Sequence, residues 1–357
     1  MSRTILVMAG GTGGHIFPAL AVAEQLRALG WRVVWLGSRR GMEGRLVAPL
    51  GYEMAWIRFS GVRGRGPLRL AWLPLELLVA FWQSARAIFA HRPDVALGMG
   101  GYVSFPGAMM ASFLNRPLAI HEQNAVAGLA NRVLARVADR VLAGFPGAFG
   151  KGVAAIVTGN PVRAEIAAIA PPRERFAGRE GPLRLLVVGG SQGARVLNEV
   201  VPRALAALEP GARPRVTHQA GAAHEQAVRL AYEQAGVAAE VLGFMDDMAA
   251  RYAEADLVVC RAGASTVAEL AAAGVASILV PYPHAVDDHQ SANARYLAER
   301  GAALVIPERE FTASRLRETL AALDRERLRA MAEAARAAGR PEAARAVAQV
   351  CVELAGA

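Results

Sequence analysis

Two glycine loops in matching settings constrain this chain more than any other feature. The first, Gly10-Gly-Thr-Gly-Gly-His15, follows the apolar run Thr4–Met8 and precedes the helical pattern "FPALAVAEQL". The second, Gly189-Gly-Ser-Gln-Gly193, follows "LRLLVV" and precedes "ARVLNEVV". Without side chains, such a loop lets the backbone approach a phosphate while the first N–H groups of the next helix point at it. The same glycines could instead only permit a tight strand-to-helix turn. Neither spacing is the dinucleotide G-x-G-x-x-G or the P-loop G-x-x-x-x-G-K-[ST].

Short β-rich runs alternate with longer helical patterns along all 357 residues, which predicts an α/β chain built on parallel sheets. In the first half, strands are expected near Thr4–Met8, Arg32–Leu36, Met54–Ile57, Asp94–Leu97, Leu118–Ile120, Arg140–Leu142 and Ala155–Val157. The second half repeats the alternation near Leu183–Val188, Val216–Gln219, Glu240–Leu242, Leu257–Cys260, Ser277–Val280 and Ala303–Ile306. Helices are expected at Pro18–Leu29 and Leu129–Val137, among others. Between the halves, Asn160–Pro182 replaces periodic apolar residues with proline, glycine and charge. The expectation is two Rossmann-like, doubly wound domains in tandem, 1–160 and 161–340, followed by a closing helix over 341–357.

The net charge of +9 and the pI near 10.4 favour an acidic partner, whether phosphate, nucleic acid or an anionic membrane face. Nearly all the positive charge is arginine, Lys151 being the only lysine, so genomic base composition is an alternative cause. No RRM, KH, zinc-finger or helix-turn-helix pattern supports nucleic acid as the partner. Cys260 and Cys351 form neither a disulfide framework nor a metal cluster and are compatible with a reducing cytoplasm. The beginning of the chain does not read as a signal peptide. No run reaches the roughly 20 uninterrupted apolar residues of a membrane helix, since Pro74 and Glu76 break the nearest one, Leu70–Trp82. Gly61–Arg92 nevertheless places arginines on both sides of an apolar stretch with Trp72, Phe81 and Trp82. That pattern suits a surface resting on anionic lipid, or else a loop followed by an amphipathic core helix.

Parallel α/β sheets bind ligands outside the carboxyl ends of their strands, and the unusual residues gather there. "GMGGYVS" follows the fourth expected strand and "HEQN", His121–Asn124, the fifth; "GFMDDM", "RAGAST" and "PYPHAVDDHQ" follow strands of the second half. Two facing edges of this kind would make a cleft. His15 stands where a helix begins, a setting that disfavours imidazolium and suits a neutral base, a turn cap or a phosphate contact. His121 and Glu122 raise the same choice, set against a buried histidine that is simply satisfied. Glu269, about one turn into a helix expected to begin near Thr266, could accept both vicinal hydroxyls of a ribose, or Thr266 and Glu269 could form a capping box. Asp246, Asp247, Asp287 and Asp288 lack metal-ligand spacing, and the first two read as the start of a helix.

Taken in order, "GGTGGHIFPALAVAEQL", "SGVRGRG", "LGMGGYVSFPG", "HEQNAVAGLANR", "FPGAF", "GNPVR", "VVGGSQGARVLN", "FMDDMAARYAEADLVVCRAGASTVAEL" and "DDHQSANARYL" resemble the MurG family. These are bacterial transferases that move GlcNAc from UDP-GlcNAc to lipid I in peptidoglycan synthesis. The resemblance spans nearly the whole chain. It implies a GT-B fold, two Rossmann-like domains facing a cleft, with the last helix packing back toward the first domain. It also implies UDP-GlcNAc on the second domain and a lipid pyrophosphate acceptor on the first, hence two sets of phosphate loops. Partners would be these two substrates, the anionic cytoplasmic face of the inner membrane, which the chain would meet peripherally, and other cell-wall synthesis proteins.

By the same resemblance, Ser191 lies near the donor pyrophosphate, the backbone of Met245 by the uracil, and Ala264, Ser265, Thr266, Val267, Ala268 and Glu269 around nucleotide and ribose. Asn124, Arg163 and Gln290 match positions that hold the donor, although His289 precedes Gln290 where some members carry paired glutamines. Thr12, Gly13 and Gly14 match a loop close to sugar and pyrophosphates. Inversion at the donor's anomeric carbon needs a base, expected to be His15 with Glu122 as second choice, and no metal or other cofactor is expected. Competing readings are a related transferase with another acceptor, a UDP-sugar epimerase, a dinucleotide oxidoreductase disfavoured by the loop spacing, and a non-enzymatic nucleotide-sugar sensor.

Overall fold

The computed structural model describes residues 2–59, 72–190 and 192–356. The chain forms two compact units, Met1–Arg163 with Pro341–Ala357, and Ala164–Arg340. The division falls inside the proline- and glycine-rich stretch Asn160–Pro182 that the sequence marks as the seam.

In the first unit, β1 (Thr4–Met8), β2 (Arg32–Gly37), β3 (Glu53–Trp56), β4 (Val95–Gly98), β5 (Leu118–Glu122), β6 (Arg140–Ala143) and β7 (Ala155–Val157) form one parallel sheet. Its order is β3-β2-β1-β4-β5-β6-β7, so strand order reverses between β1 and β4. The second unit holds β8 (Arg184–Val188), β9 (Arg215–Gln219), β10 (Ala239–Leu242), β11 (Leu257–Cys260), β12 (Ser277–Leu279) and β13 (Ala303–Val305), ordered β10-β9-β8-β11-β12-β13. Here the reversal lies between β8 and β11. All thirteen expected strands form, three with the expected ends and the others with ends shifted by one or two residues.

Period-two alternation explains how one strand serves two cores. Ile5 and Val7 enter a cluster with Trp35 and the Gly13–Ala28 helix, whereas Leu6 and Met8 enter a cluster on the opposite face with Ala80 and Ile88. Val347, Ala348, Cys351 and Leu354 of the Ala343–Leu354 helix join the first cluster at helical spacing, which seats that helix against Gly13–Ala28. At the amino ends of the sheets one device recurs three times. Asp94 accepts Thr4 N–H, Asp139 accepts Leu118 N–H and Asp256 accepts Arg184 N–H, and each aspartate N–H donates back to the carbonyl of the residue it caps. These braces set register at one edge and leave the carboxyl edge to loops.

Two helix expectations need correction. The first helix begins at Gly13, five residues before Pro18. Pro18 therefore lies inside the helix, in its second turn, where it cannot donate the i→i−4 bond to Gly14. The Leu129 helix ends at Leu134.

Candidate active site

At the carboxyl edge of the first sheet, loops from β1 and β4 pack backbone to backbone. Gly11, Gly100 and Gly101 take positive φ values of 89°, 93° and 80°, and a β-carbon on Gly101 would overlap the Gly10 carbonyl. Only glycine meets both conditions. Thr12 is the N-cap of the Gly13–Ala28 helix, yet its side chain makes no capping bond to the backbone. Its hydroxyl instead lies 3.1 Å from His15 Nδ1. His15, the third helical residue, is half-buried, and its ring rests against Gly100. The Gly13 backbone lies against the Phe17 ring, Gly14 is exposed, and the Arg163 guanidinium sits over the same Phe17 ring, 5.8 Å from its centroid.

His121 and Glu122 are the last two residues of β5 rather than part of the loop beyond it. His121 is fully buried; its Nε2 donates to the Gly159 carbonyl at 3.0 Å and its Nδ1 accepts from the Gln123 amide at 3.1 Å. Burial holds its pKa down at about 4, so the ring is neutral. Glu122, 4% exposed, accepts from Asn124 N–H and Nδ2 on one oxygen and from Gly128 N–H and Asn131 Nδ2 on the other. Four donors fold the 123–131 segment around one carboxylate. Asn124 is thereby held at the edge of the sheet.

The second unit repeats the construction. A β-carbon on Gly193, at φ 76°, would overlap the Ala220 carbonyl, and one on Gly221 would approach Gly193 N. Ser191 lies outside the described residues. Met245 is buried in the loop after β10. Ala264–Ala273 is the helix after β11, with Gly263 as N-cap and no side-chain cap. Thr266 is therefore its third residue and Glu269 its sixth, so the capping box does not form. Val267 is wholly buried, whereas Ser265, Thr266, Ala268 and Glu269 are partly exposed beside the nearly buried Ala264. Glu269 Oε2 accepts from the Tyr252 hydroxyl at 3.2 Å. Gln290 Oε1 accepts from Ala262 N–H and Tyr282 N–H, which ties the loops after β11 and β12 together.

The aspartates do less than their spacing suggests. Asp247 occupies the N-cap of Met248–Glu254, but its carboxylate binds Arg251 and leaves the helix backbone uncapped. Asp288 binds Ser291. Among the described residues, no three His, Cys, Asp or Glu side chains gather as metal ligands would.

Sequence reasoning missed Glu43, which lies in the Met42–Leu46 helix and is fully buried beside the first glycine loop. It also passed over Gln123, Asn131 and Asn160, whose amide donates to the Gln123 carbonyl. A glutamate flanked by Gly41 and Gly44 just after a strand was the available signal.

Comparison with known proteins fits this geometry. The glycosyltransferase family 28 N-terminal domain matches residues 5–143 and the family 28 C-terminal domain residues 184–350. A relative from Aromatoleum aromaticum, a "UDP-N-acetylglucosamine--N-acetylmuramyl-(pentapeptide) pyrophosphoryl-undecaprenol N-acetylglucosamine transferase", is 64% identical over 99% of this chain and 98% of its own. The protein of the same name from Nitrosospira multiformis is 58% identical over 99% of both chains. The crystal structure of Acinetobacter baumannii MurG superposes with a TM-score of 0.85 at 40% identity, covering 98% of this chain and 99% of that one. The chain has the GT-B fold and belongs to glycosyltransferase family 28, within it to the MurG family of N-acetylglucosamine transferases.

Proposed function

We propose that the chain moves GlcNAc from UDP-GlcNAc to the C4 hydroxyl of MurNAc in undecaprenyl-pyrophosphoryl-MurNAc-pentapeptide, giving lipid II. The observation that carries this reading is the doubled glycine edge, since each substrate brings a pyrophosphate and each unit offers one glycine loop opening a helix.

In this reading His15 is the base. With Nδ1–H donated to Thr12 Oγ1, the Nε2 lone pair takes the proton from the acceptor hydroxyl. The oxygen attacks C1 of GlcNAc, the bond from C1 to the UDP oxygen breaks, and the configuration inverts. Charge developing on UDP is met by the Gly189–Gly193 loop and the first N–H groups of Ala264–Ala273, with Arg163 as the cation the resemblance assigns. Glu269 holds the ribose and the Met245 backbone the uracil. Glu122, its oxygens occupied by four donors, positions Asn124 and the loop that follows rather than acting as base.

A peripheral seat on the cytoplasmic face of the inner membrane is part of the proposal. The Leu73–His91 helix is long and apolar enough, by length and composition, to cross a bilayer. It buries Ala80, Ser84, Ala87 and Ile88 against its own unit, which supports a surface helix. Trp72, Leu75, Leu78, Trp82 and Phe89 are exposed, as is Phe113 on the neighbouring Ser104–Phe113 helix. The arginines at 63, 65 and 69 lie outside the described residues.

Purified protein given UDP-GlcNAc, with and without a short-chain lipid I analogue, tests the reaction. Acceptor-dependent UDP release and a disaccharide-lipid mass are expected. Donor binding without product would reject the acceptor assignment. Sedimentation with vesicles containing phosphatidylglycerol tests the membrane seat, and Trp82→Ser with Leu78→Ser is expected to weaken it.

A further inference from the structure

One buried carboxylate in the first unit has no place in the scheme above. Glu43 is 0% exposed, and no cation pairs with it in the contacts described. Its Oε1 accepts from Ser38 N–H at 2.7 Å and from the Tyr102 hydroxyl at 3.3 Å, and its Oε2 from Gly11 N–H at 3.3 Å. The three donors come from the loops after β2, β4 and β1. Three glycines clear its space. A β-carbon on Gly10 would stand 2.8 Å from Oε1, one on Gly37 2.6 Å from Cγ, and one on Gly41 closer still to both oxygens. The Tyr102 ring in turn lies 3.1 Å from the site of a Gly11 β-carbon. So the turn Gly10–Gly11, which leads directly into Thr12 and His15, is held from behind by Glu43 and from the side by Tyr102.

Burying a carboxylate is costly unless its hydrogen bonds are met, and a chain that needed only a filled core would place an apolar residue here. We propose that Glu43 is a positioning residue for the acceptor loop: by taking the Gly11 N–H and the Tyr102 hydroxyl it sets the direction in which Thr12–Gly14 present their amides and His15 its ring. This rests on the reading of that loop as the acceptor's and of His15 as base.

Glu43→Gln keeps the volume but turns one acceptor into a donor facing an N–H or the tyrosine hydroxyl. Tyr102→Phe removes one donor and is the second variant should the first fold poorly. The expected result for Glu43→Gln is an acceptor KM raised roughly tenfold and a kcat lowered roughly tenfold. The UDP-GlcNAc KM should stay close to wild type, while the melting temperature falls as expected for a buried acceptor turned donor. Tyr102→Phe should shift the same two parameters less, and the double variant should be little worse than Glu43→Gln alone, as for neighbours in one network. Amide exchange of Gly11 and Thr12 without substrate reads the clasp itself, and it should accelerate in both variants.

Unchanged exchange would overturn the clasp. Faster exchange with unaltered acceptor kinetics would overturn its role in acceptor placement. A fall in melting temperature with kcat reduced but both KM values intact would reduce Glu43 to a structural residue and overturn the proposal. A failure of the His15 reading alone shows elsewhere, as an undiminished turnover of His15→Ala.

Discussion

Gly100 lies directly beneath the imidazole of His15: a β-carbon there would stand 2.6 Å from the ring's Cδ2 and 3.0 Å from Nε2. The nitrogen that would act as base is thus aimed by a residue that has no side chain, from a loop some eighty-five positions away. Gly100→Ala should displace the ring and strain a backbone at φ 93°. Turnover is expected to drop by roughly 10²-fold, the cost of misplacing a reacting group. UDP affinity, which depends on the second unit, should hold, as isothermal titration with UDP would show.

His15→Ala should lower kcat by roughly 10²–10⁴ with little change in melting temperature, if general-base catalysis is its role. Thr12→Val removes the hydroxyl that orients Nδ1 and should cost less. A turnover for His15→Ala equal to wild type would reject the base assignment.

Glu122 should behave oppositely. Replacing its buried carboxylate by Gln sets an amide donor against backbone and asparagine donors already pointing at it. Breaking one partner of such a network costs about 2–4 kcal/mol, so melting temperature and turnover should fall together. A Glu122→Gln protein of native stability and lost turnover would restore Glu122 as a chemical participant.

For Glu269, the substrate supplies the test. Glu269→Ala should raise the KM for UDP-GlcNAc roughly tenfold, the loss of about one charge-assisted hydrogen bond. The 2′-deoxyribose analogue should show a much smaller rise, because the wild type has already lost that contact. Equal rises for both substrates would argue against a ribose role.

Acid should destabilise the chain through two buried histidines. His121 and His218 are both held neutral by burial, with pKa values of about 4. His218 lies between the Tyr232 hydroxyl and Asn198 Oδ1. Between pH 6.5 and 4 the unfolded chain binds protons that the folded chain refuses, so stability falls as pH drops through that window. Each histidine contributes at most about 3 kcal/mol of that loss. Denaturant melts at pH 7, 6, 5 and 4 should show the decline, and His218→Gln should flatten it. A parallel pH dependence in that variant would remove His218 from the account.

Local chemistry alone determined a large share of this molecule. Strand-forming runs broken by glycine, and helical periodicity between them, are short-range signals, so thirteen strands and two doubly wound sheets could be read directly from the residues. The same local logic gathered the polar loops at the carboxyl edge. It failed where a side chain's partner lies far along the chain. Thr266 and Glu269 have the spacing of a capping box, but Gly263 is the N-cap and the helix begins at Ala264, which puts both residues inside it. For His121 the residues left chemistry and a buried, satisfied ring both open, and it is the buried ring, bonded to Gly159; for Glu122 spacing could not show that both oxygens accept from the segment that follows it. Glu43 carried no motif, because its meaning lies in glycines at 10, 37 and 41 and in Tyr102. Sequence spacing records which residues can share a turn or a strand. Only the tertiary structure decides which buried charge meets which distant N–H, because that energy depends on atoms brought together from separate loops.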